Sequence, residues 1–132
     1  NNKGQNKMKI ITIAMSMAMF SWVVSRPYEQ QPRVTASWYG EQYRGNLCAD
    51  NKTIFNPDDP TQAAHRTFPF GSVIRVSLTK DKYVDVTIVD RGPFVKDKNG
   101  KYTREIDLSR AAFQKLADPD AGLLQVKLTR LR

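Results

Sequence analysis

Apolar and polar residues alternate along several stretches of this chain. In the clearest one, at 83–89, Val84, Val86 and Ile88 are separated by polar or aromatic neighbours. Shorter alternating or apolar runs occupy 34–39, 73–79 and 123–131. A period of two residues is typical of a strand that buries one face. The pattern therefore predicts four strands, and a turn at 80–82 joins 73–79 to 83–89 as a hairpin.

One helix is predicted after residue 108. Ser109 is a suitable N-cap, and Leu108 and Phe113 stand at the spacing of a hydrophobic staple. Asp118-Pro119 is expected to end this helix. Residues 45–50 are expected to form a short extended segment, whereas 63–70 show no clear period. Many short strands, one helix and no internal repeat predict a mainly β protein built as a small barrel.

The N-terminal region has the pattern of an export signal. Met8-Lys9 gives a short positive start, and residues 10–24 form an apolar run interrupted by three hydroxyl residues. This run is shorter than the ~20 residues of a membrane-spanning helix, so a signal peptide is favoured over an uncleaved anchor. We expect a signal peptide region at 1–25 whose true start is Met8, a linker at 26–33, and one folded domain at 34–132. No stable membrane anchor is expected.

Charge and composition narrow the possible partners. The net charge is +8, and a basic protein suits polyanions such as nucleic acid, an anionic membrane or an acidic cell-wall polymer. The sequence contains no RNA-recognition, zinc-finger or recognition-helix motif, so nucleic acid is not expected as a partner. Cys48 and His65 are the sole cysteine and histidine, which excludes an internal disulfide and argues against a metal centre. We expect a monomer that uses no cofactor.

The segment Val89-Asp90-Arg91-Gly92-Pro93-Phe94 ends the clearest strand. Asp90 lies where the strand gives way to a turn, because Gly92-Pro93 interrupts regular backbone. A carboxylate in such a position either caps the turn or, at the mouth of a core, serves as a catalytic acid. The segment alone leaves both interpretations open.

Four motifs, taken in order, resemble one protein family. They are A-S-W-Y-G at 36–40, A-A-H-R-T-F-P-F-G at 63–71, D-R-G-P-F at 90–94 and I-D-L-S-R-A-A at 106–112. Together they are similar to the rare lipoprotein A (RlpA-like) family, which is related to expansins and barwin. The resemblance implies a six-stranded double-psi β-barrel and a lytic transglycosylase that acts on peptidoglycan glycan strands. The chain departs from the family where Lys52 stands in place of a glutamate.

The resemblance also implies roles for individual residues. It makes Asp90 the catalytic acid and places His65 nearby as an assisting residue. On the residues alone, His65 is equally well explained as a structural histidine, and Trp38 and Tyr39 either stack on sugar rings or belong to the core. The candidate substrate-binding residues are Trp38, Tyr39, Arg66, Lys52 and Arg91.

A single carboxylate, Asp90, is expected in the groove, because Lys52 stands where a second one would sit. Glu41 and Asp50 are the nearby acids that could supply a second carboxylate, whereas Asp107 is expected to hold the loop before the helix and Phe94 to pack. Inverting and retaining hydrolysis both use two carboxylates, whereas Asp90 alone can act first as acid and then as base. The expected reaction is therefore cleavage between MurNAc and GlcNAc, with attack by the sugar's own 6-hydroxyl to leave 1,6-anhydro-MurNAc ends. The alternatives are a non-catalytic glycan-binding or wall-loosening module, and a secreted inhibitor or scaffold. An exported protein, periplasmic or extracellular, is expected.

Overall fold

The computed structural model describes residues 27–132. The signal peptide, its start at Met8 and the first residue of the linker lie outside the described residues. Within 27–132, no helix has the length and apolar character needed to cross a membrane. The regular elements of this part of the chain are β1 (Val34–Tyr39), β2 (Gln62–His65), β3 (Val73–Thr79), β4 (Lys82–Asp90), β5 (Ile106–Ser109), α1 (Arg110–Gln114) and β6 (Leu124–Arg130).

The six strands close into a barrel in the order β1-β5-β2-β4-β3-β6. Two of the pairs, β1 with β5 and β2 with β4, run parallel and join strands that are far apart in the sequence. The other four pairs are antiparallel, including the β3–β4 hairpin. The prediction of a mainly β, six-stranded barrel with one short helix is confirmed.

The interior of the barrel is apolar and sealed. Every second residue of the strands is turned inward, and Phe113 of α1 and Leu116 just after it join the same core. Each fully buried aliphatic or aromatic side chain contributes about 1.5–3 kcal/mol through the hydrophobic effect. The apolar strand residues with no exposed surface are Ala36, Ala63, Ile74, Val76, Val86, Ile88, Ile106, Leu108 and Val126.

The helix begins where the sequence predicts. The Ser109 hydroxyl accepts a hydrogen bond from the Ala112 N–H at 3.1 Å and donates to the Asp59 carbonyl at 2.6 Å. The helix is shorter than expected and ends at Gln114. Asp118 instead accepts from the Asp120 N–H and caps a separate 3-10 helix at Pro119–Ala121.

The alternation pattern did not predict β2 or β5, and the extended segment expected at 45–50 is nearly absent. All four residues of β2 are buried, so its sequence carries no two-residue period. The strand β5 has four residues and runs directly into α1. The extended segment expected at 45–50 contributes one isolated bridge, between Leu47 and Ile54.

Candidate functional site

Two aspartates lie on the outer surface of the barrel, in a cleft of about 460 Å³. Cross-strand pairing places four residues in one row: Ser37 on β1 is opposite Asp107 on β5, which is opposite Ala64 on β2, which is opposite Asp90 on β4. Neighbouring strands are about 4.8 Å apart, so the Cα atoms of Asp90 and Asp107 are separated by about 10 Å. The small side chain of Ala64 lies between them on the cleft floor.

A β-bulge turns Asp90 to the outer surface. Val84, Val86 and Ile88 face the core, and strict alternation would send Asp90 inward as well. The register instead shifts between β2 and β4, so that Ala63 pairs with Ile88 and Ala64 with Asp90. The extra residue, Val89, reverses the alternation at the point where the strand reaches the cleft.

The loop after β1 forms one wall of the cleft. Cys48 and Phe55 pack with Val89 in a small apolar cluster outside the barrel. The Tyr39 ring stacks on Phe55 with a centroid separation of 4.1 Å. The backbone N–H of Asp50 donates to the Val89 carbonyl at 3.1 Å. These contacts fix the loop against the end of β4.

Asp90 is held by backbone donors. Its Oδ1 accepts hydrogen bonds from the N–H groups of Ala49 and Arg91, both at 2.9 Å. One donor belongs to the loop and the other to the turn after β4, so the carboxylate links the two walls. Backbone N–H groups make strong hydrogen bonds with an ionised acceptor, and their fixed positions orient the carboxylate in the cleft.

Asp107 is the second carboxyl in the cleft, and the expectation of a single groove carboxylate is wrong. Burial raises the pKa of Asp107 to about 6, and the charge of Asp90 acts in the same direction. The Ser37 hydroxyl, which donates to Oδ1 at 3.2 Å, and the Arg104 cation oppose this rise in pKa. Alternation within I-D-L-S puts Asp107 on the outer face, but only the barrel closure brings that face beside Asp90.

Trp38 and Tyr39 both line the cleft. The Trp38 Nε1–H donates to the Pro119 carbonyl at 2.9 Å, and its ring contacts the core residue Phe113. The Tyr39 hydroxyl is buried and has no hydrogen-bond partner among residues 27–132. Burial strongly raises the pKa of Tyr39, and Asp90 adds to the shift. Tyr39 therefore presents a neutral hydroxyl donor beside the aspartates.

His65 is buried outside the cleft. Its Nδ1 accepts from the N–H groups of Thr67 and Phe68, which leaves the proton on Nε2, 3.2 Å from Glu105 Oε1. Burial lowers the pKa of His65, against the opposing effect of Glu105. Both ring nitrogens are engaged in these contacts, and His65 is not among the residues that line the cleft with Asp90. The A-H-R-T and D-R-G-P-F motifs are neighbours in space, because Ala64 pairs with Asp90 and the Arg91 guanidinium donates to the His65 carbonyl.

The three predicted cationic residues have different positions. Arg91 lines the cleft, while its guanidinium donates to the carbonyls of His65 and Phe68. Arg66 is outside the cleft and donates to the Pro93 carbonyl at 2.8 Å and to Glu105. Lys52 is exposed in the turn of the wall loop and is not among the cleft residues. The two arginines therefore brace the turn after β4.

An apolar rim around the cleft was missed by the sequence analysis. Phe94, expected to pack, is 60% exposed and lines the cleft. Gly92 has a φ of 127°, a value that favours glycine, and its turn leads the chain to Phe94. The other exposed apolar residues of the rim are Tyr43, Leu47 and Val95. The signal in the sequence that could have indicated an exposed Phe94 is its position directly after the Gly92-Pro93 turn.

A metal site finds no support in this part of the chain. Residues 27–132 contain no group of three or more His, Cys, Asp or Glu side chains placed to hold an ion.

Most of the chain is similar in sequence to one family of known proteins. Residues 31–128 match the sequence model of a family described as lytic transglycolase. The endolytic peptidoglycan transglycosylase RlpA of Pseudomonas aeruginosa (strain UCBPP-PA14) is 42% identical over 95 residues, which are 71% of this chain and 26% of that protein. The chain thus spans about a quarter of the length of this relative.

Two solved structures share the fold. A Streptomyces papain inhibitor superposes with a TM-score of 0.58 at 24% identity, covering 80% of this chain and 98% of the inhibitor. A point variant of the Clavibacter michiganensis expansin, in complex with cellohexaose, gives 0.55 at 19% identity and covers 76% and 50% of the two chains. At these identities the likeness concerns the fold alone.

Proposed function

The chain belongs to the RlpA-like lytic transglycolase family of double-psi β-barrel proteins, and from this we propose that it is an endolytic peptidoglycan transglycosylase. It cleaves the bond between MurNAc and GlcNAc and leaves 1,6-anhydro-MurNAc ends. The observation that carries the proposal is the placement of Asp90, the aspartate of the family's D-R-G-P-F motif, in an open cleft with aromatic walls.

The chemistry needs two proton transfers. One proton goes to the glycosidic oxygen as its bond to C1 breaks, and one is taken from the 6-hydroxyl as that oxygen attacks C1. Attack within one ring replaces an activated water, and such proximity supplies a large part of the rate enhancement. A single carboxyl can perform both steps in turn, and the sequence assigns both to Asp90.

The cleft walls suit a sugar chain. The rings of Trp38, Tyr39, Tyr43 and Phe94 line the cleft, and the exposed rings of Tyr43 and Phe94 are available to the C–H faces of pyranose rings. The cation Arg104 lines the same cleft, and its proposed contact is a carboxylate of the cell-wall polymer. Arg91 is also a cleft residue, but its guanidinium is engaged by the carbonyls of His65 and Phe68. All these residues come from one chain, so a monomer is sufficient.

The remaining candidate residues are assigned away from the reacting sugar. His65 and Arg66 brace the turn that carries Phe94, so we propose that they are positioning residues. Lys52 is exposed on the wall loop, and its proposed contact is the acidic peptide stem. The substrate lies in the cell envelope, and we propose that the protein acts there after export, in the periplasm or outside the cell.

The test is the chemistry of the new chain ends. Purified sacculi are incubated with the full chain, and the soluble products are reduced with borohydride and weighed by mass spectrometry. Anhydro ends take up no hydrogen, so the masses of the products should not change. Products with reducible ends would make water the acceptor and the protein a hydrolase. Binding to sacculi without release of products would identify a glycan-binding module instead.

A further inference from the structure

The second carboxyl of the cleft suggests that the two proton transfers are divided. We infer that Asp107 donates the proton to the leaving glycosidic oxygen, while Asp90 accepts the proton of the attacking 6-hydroxyl. This inference rests on the proposed function and assigns a catalytic role to a residue outside the D-R-G-P-F motif.

Geometry places both groups at one sugar-binding surface. Asp90 and Asp107 face the same cleft, and both are the cross-strand neighbours of Ala64. A Cα separation of about 10 Å across three strands leaves space above the alanine methyl for the bond that is broken. A larger side chain at position 64 would occupy that space.

The environments of the two carboxyls differ in the direction that this division requires. Asp90 accepts two backbone N–H groups on one oxygen, and these donors fix the orientation of its carboxylate. Asp107 accepts one hydroxyl, from Ser37, and burial is the largest influence on its proton affinity. Burial that favours the protonated form marks Asp107 as the acid of the pair.

The surroundings of Asp107 explain why it can hold a proton near pH 6. Ser37 faces it from β1, Asp90 from β4, and Arg104 from the segment before β5. Tyr39, also on β1, is close enough for Asp107 to raise the tyrosine pKa. Burial and the negative charge of Asp90 raise the pKa of Asp107, and they outweigh Ser37 and Arg104.

The reaction is balanced without a further reactant. The Asp107 proton moves to the leaving oxygen, and the C1–O bond breaks with its electron pair on that oxygen. Asp90 stands by the positive charge that forms on the ring and takes the 6-hydroxyl proton as the C1–O6 bond forms. Asp107 is then ionised and Asp90 protonated, and exchange with water in the open cleft restores the starting state.

The test compares two substrates. An acid is required for a sugar leaving group but not for 4-nitrophenol, which departs as the anion. Asp107→Asn should lower the turnover of sacculi by at least ~10²-fold and leave cleavage of a 4-nitrophenyl β-glycoside of GlcNAc-MurNAc within a few-fold of wild type. Asp90→Asn should impair both substrates. Equal losses of Asp107→Asn on both substrates, with the protein folded, would overturn the inference.

A second variant tests the same assignment without removing the carboxyl. Ser37→Ala deletes the hydrogen bond that lowers the pKa of Asp107, so the pH at which turnover of sacculi falls should move upward. Carbon-13 NMR of the Asp107 carboxyl should report a matching rise in its titration midpoint. If the midpoint rises and the pH profile is unchanged, Asp107 is not the acid. Serine to alanine is a small change, so folding is expected to be retained.

The wild-type reaction distinguishes failure of the proposed function from failure of the role assigned to Asp107. If wild type releases no anhydro product from sacculi, the proposed function fails and the division of roles falls with it. If wild type releases anhydro products and Asp107→Asn does so at the same rate, the proposed function stands and only the role of Asp107 is rejected.

Discussion

The same four strands, β1, β5, β2 and β4, carry opposite chemistry on their two faces. The inner face is apolar and fully buried: Ala36, Ile106, Leu108, Ala63 and Ile88. The outer face is the cleft floor: Ser37, Asp107, Ala64 and Asp90. The inner face holds the backbone rigid, and the outer face uses that rigidity to place two carboxyls. Changes on the inner face should therefore alter stability, and changes on the outer face should alter activity.

The largest effect is expected from Asp90→Asn on the outer face. Asparagine keeps an oxygen for the N–H groups of Ala49 and Arg91, so the fold should be retained while turnover of glycan strands falls by about 10²–10⁴-fold. Asp81→Asn, at the exposed tip of the β3–β4 hairpin, is the matched control and should behave as wild type. Anhydro-product release and thermal unfolding are measured for both. Near-normal turnover by Asp90→Asn would remove Asp90 from the mechanism.

Asp107→Asn should make the protein more stable, but only above acid pH. The pKa of Asp107 rises from 3.8 to about 6 on folding, so its ionised form costs stability, by about 3 kcal/mol at 1.36 kcal/mol per pKa unit. The carboxyl is protonated in both states below pH 3.8, and the cost is absent there. It grows as the pH rises to about 6 and is constant above.

Urea unfolding at pH 4 and pH 8 measures this difference. The stability gain of Asp107→Asn over wild type should be near zero at the lower pH and largest at the higher one. A gain that is equal at both values would show that Asp107 has no raised pKa. A gain that appears only at the higher pH would mean that the outer face holds a carboxyl, Asp107, that lowers stability and serves activity.

A pair of alanines tests the contrast between the faces directly. Ala63 faces the core and its neighbour Ala64 faces the cleft. Ala63→Leu overpacks a close-packed interior and should cost about 1–3 kcal/mol of stability. Ala64→Leu should fill the space between the aspartates and block glycan cleavage, with the smaller loss of stability. Unfolding midpoints and turnover are compared for the two variants. The same loss of stability in both would mean that the faces are not separable.

His65 should behave as a support for the outer face. His65→Ala leaves the N–H groups of Thr67 and Phe68 without their acceptor, so stability and turnover should fall together, with stability lowered by about 1–3 kcal/mol. His65→Asn supplies an oxygen near the Nδ1 position and should recover part of both. A stable His65→Asn variant as inactive as Asp90→Asn would show that the imidazole itself takes part in the chemistry.

The smallest effect is expected for Cys48→Ala. Cys48 packs with Phe55 and Val89, and burial raises the pKa of its thiol to about 12, with Asp90 adding to the rise. A neutral buried thiol behaves as a small apolar group, so the loss should be about 1 kcal/mol of stability with turnover unchanged. An alkylating reagent should likewise leave the native protein active. Inactivation by the reagent at neutral pH would point to a reactive thiolate.

The inner face could be predicted from the sequence, because alternation alone marks which residues are buried. Val84, Val86 and Ile88 were placed correctly on this basis. The strand β2 could not be found in this way, because it is buried throughout. Its position between β4 and β5 comes from barrel closure, which single-strand patterns do not contain.

The outer face was predictable only in part. The D-R-G-P-F motif identified Asp90, whereas alternation would have turned it inward, and the bulge at Val89 decides its direction. Asp107 belongs to the I-D-L-S motif, but its position beside Asp90 depends on the two cross-strand pairings of Ala64. His65 was grouped with Asp90 by motif, and its local hydrogen bonds turn it elsewhere.

The cross-strand row of the cleft floor also has a consequence for folding. Ser37 and Asp107 are 70 residues apart in the sequence, and their strands β1 and β5 are parallel neighbours. Non-local β pairings must overcome a large loop-closure entropy and usually form in milliseconds to seconds. No fragment of the chain that lacks β1, β2, β4 or β5 contains the complete floor. The proposed activity should therefore be regained in one step with barrel closure during refolding.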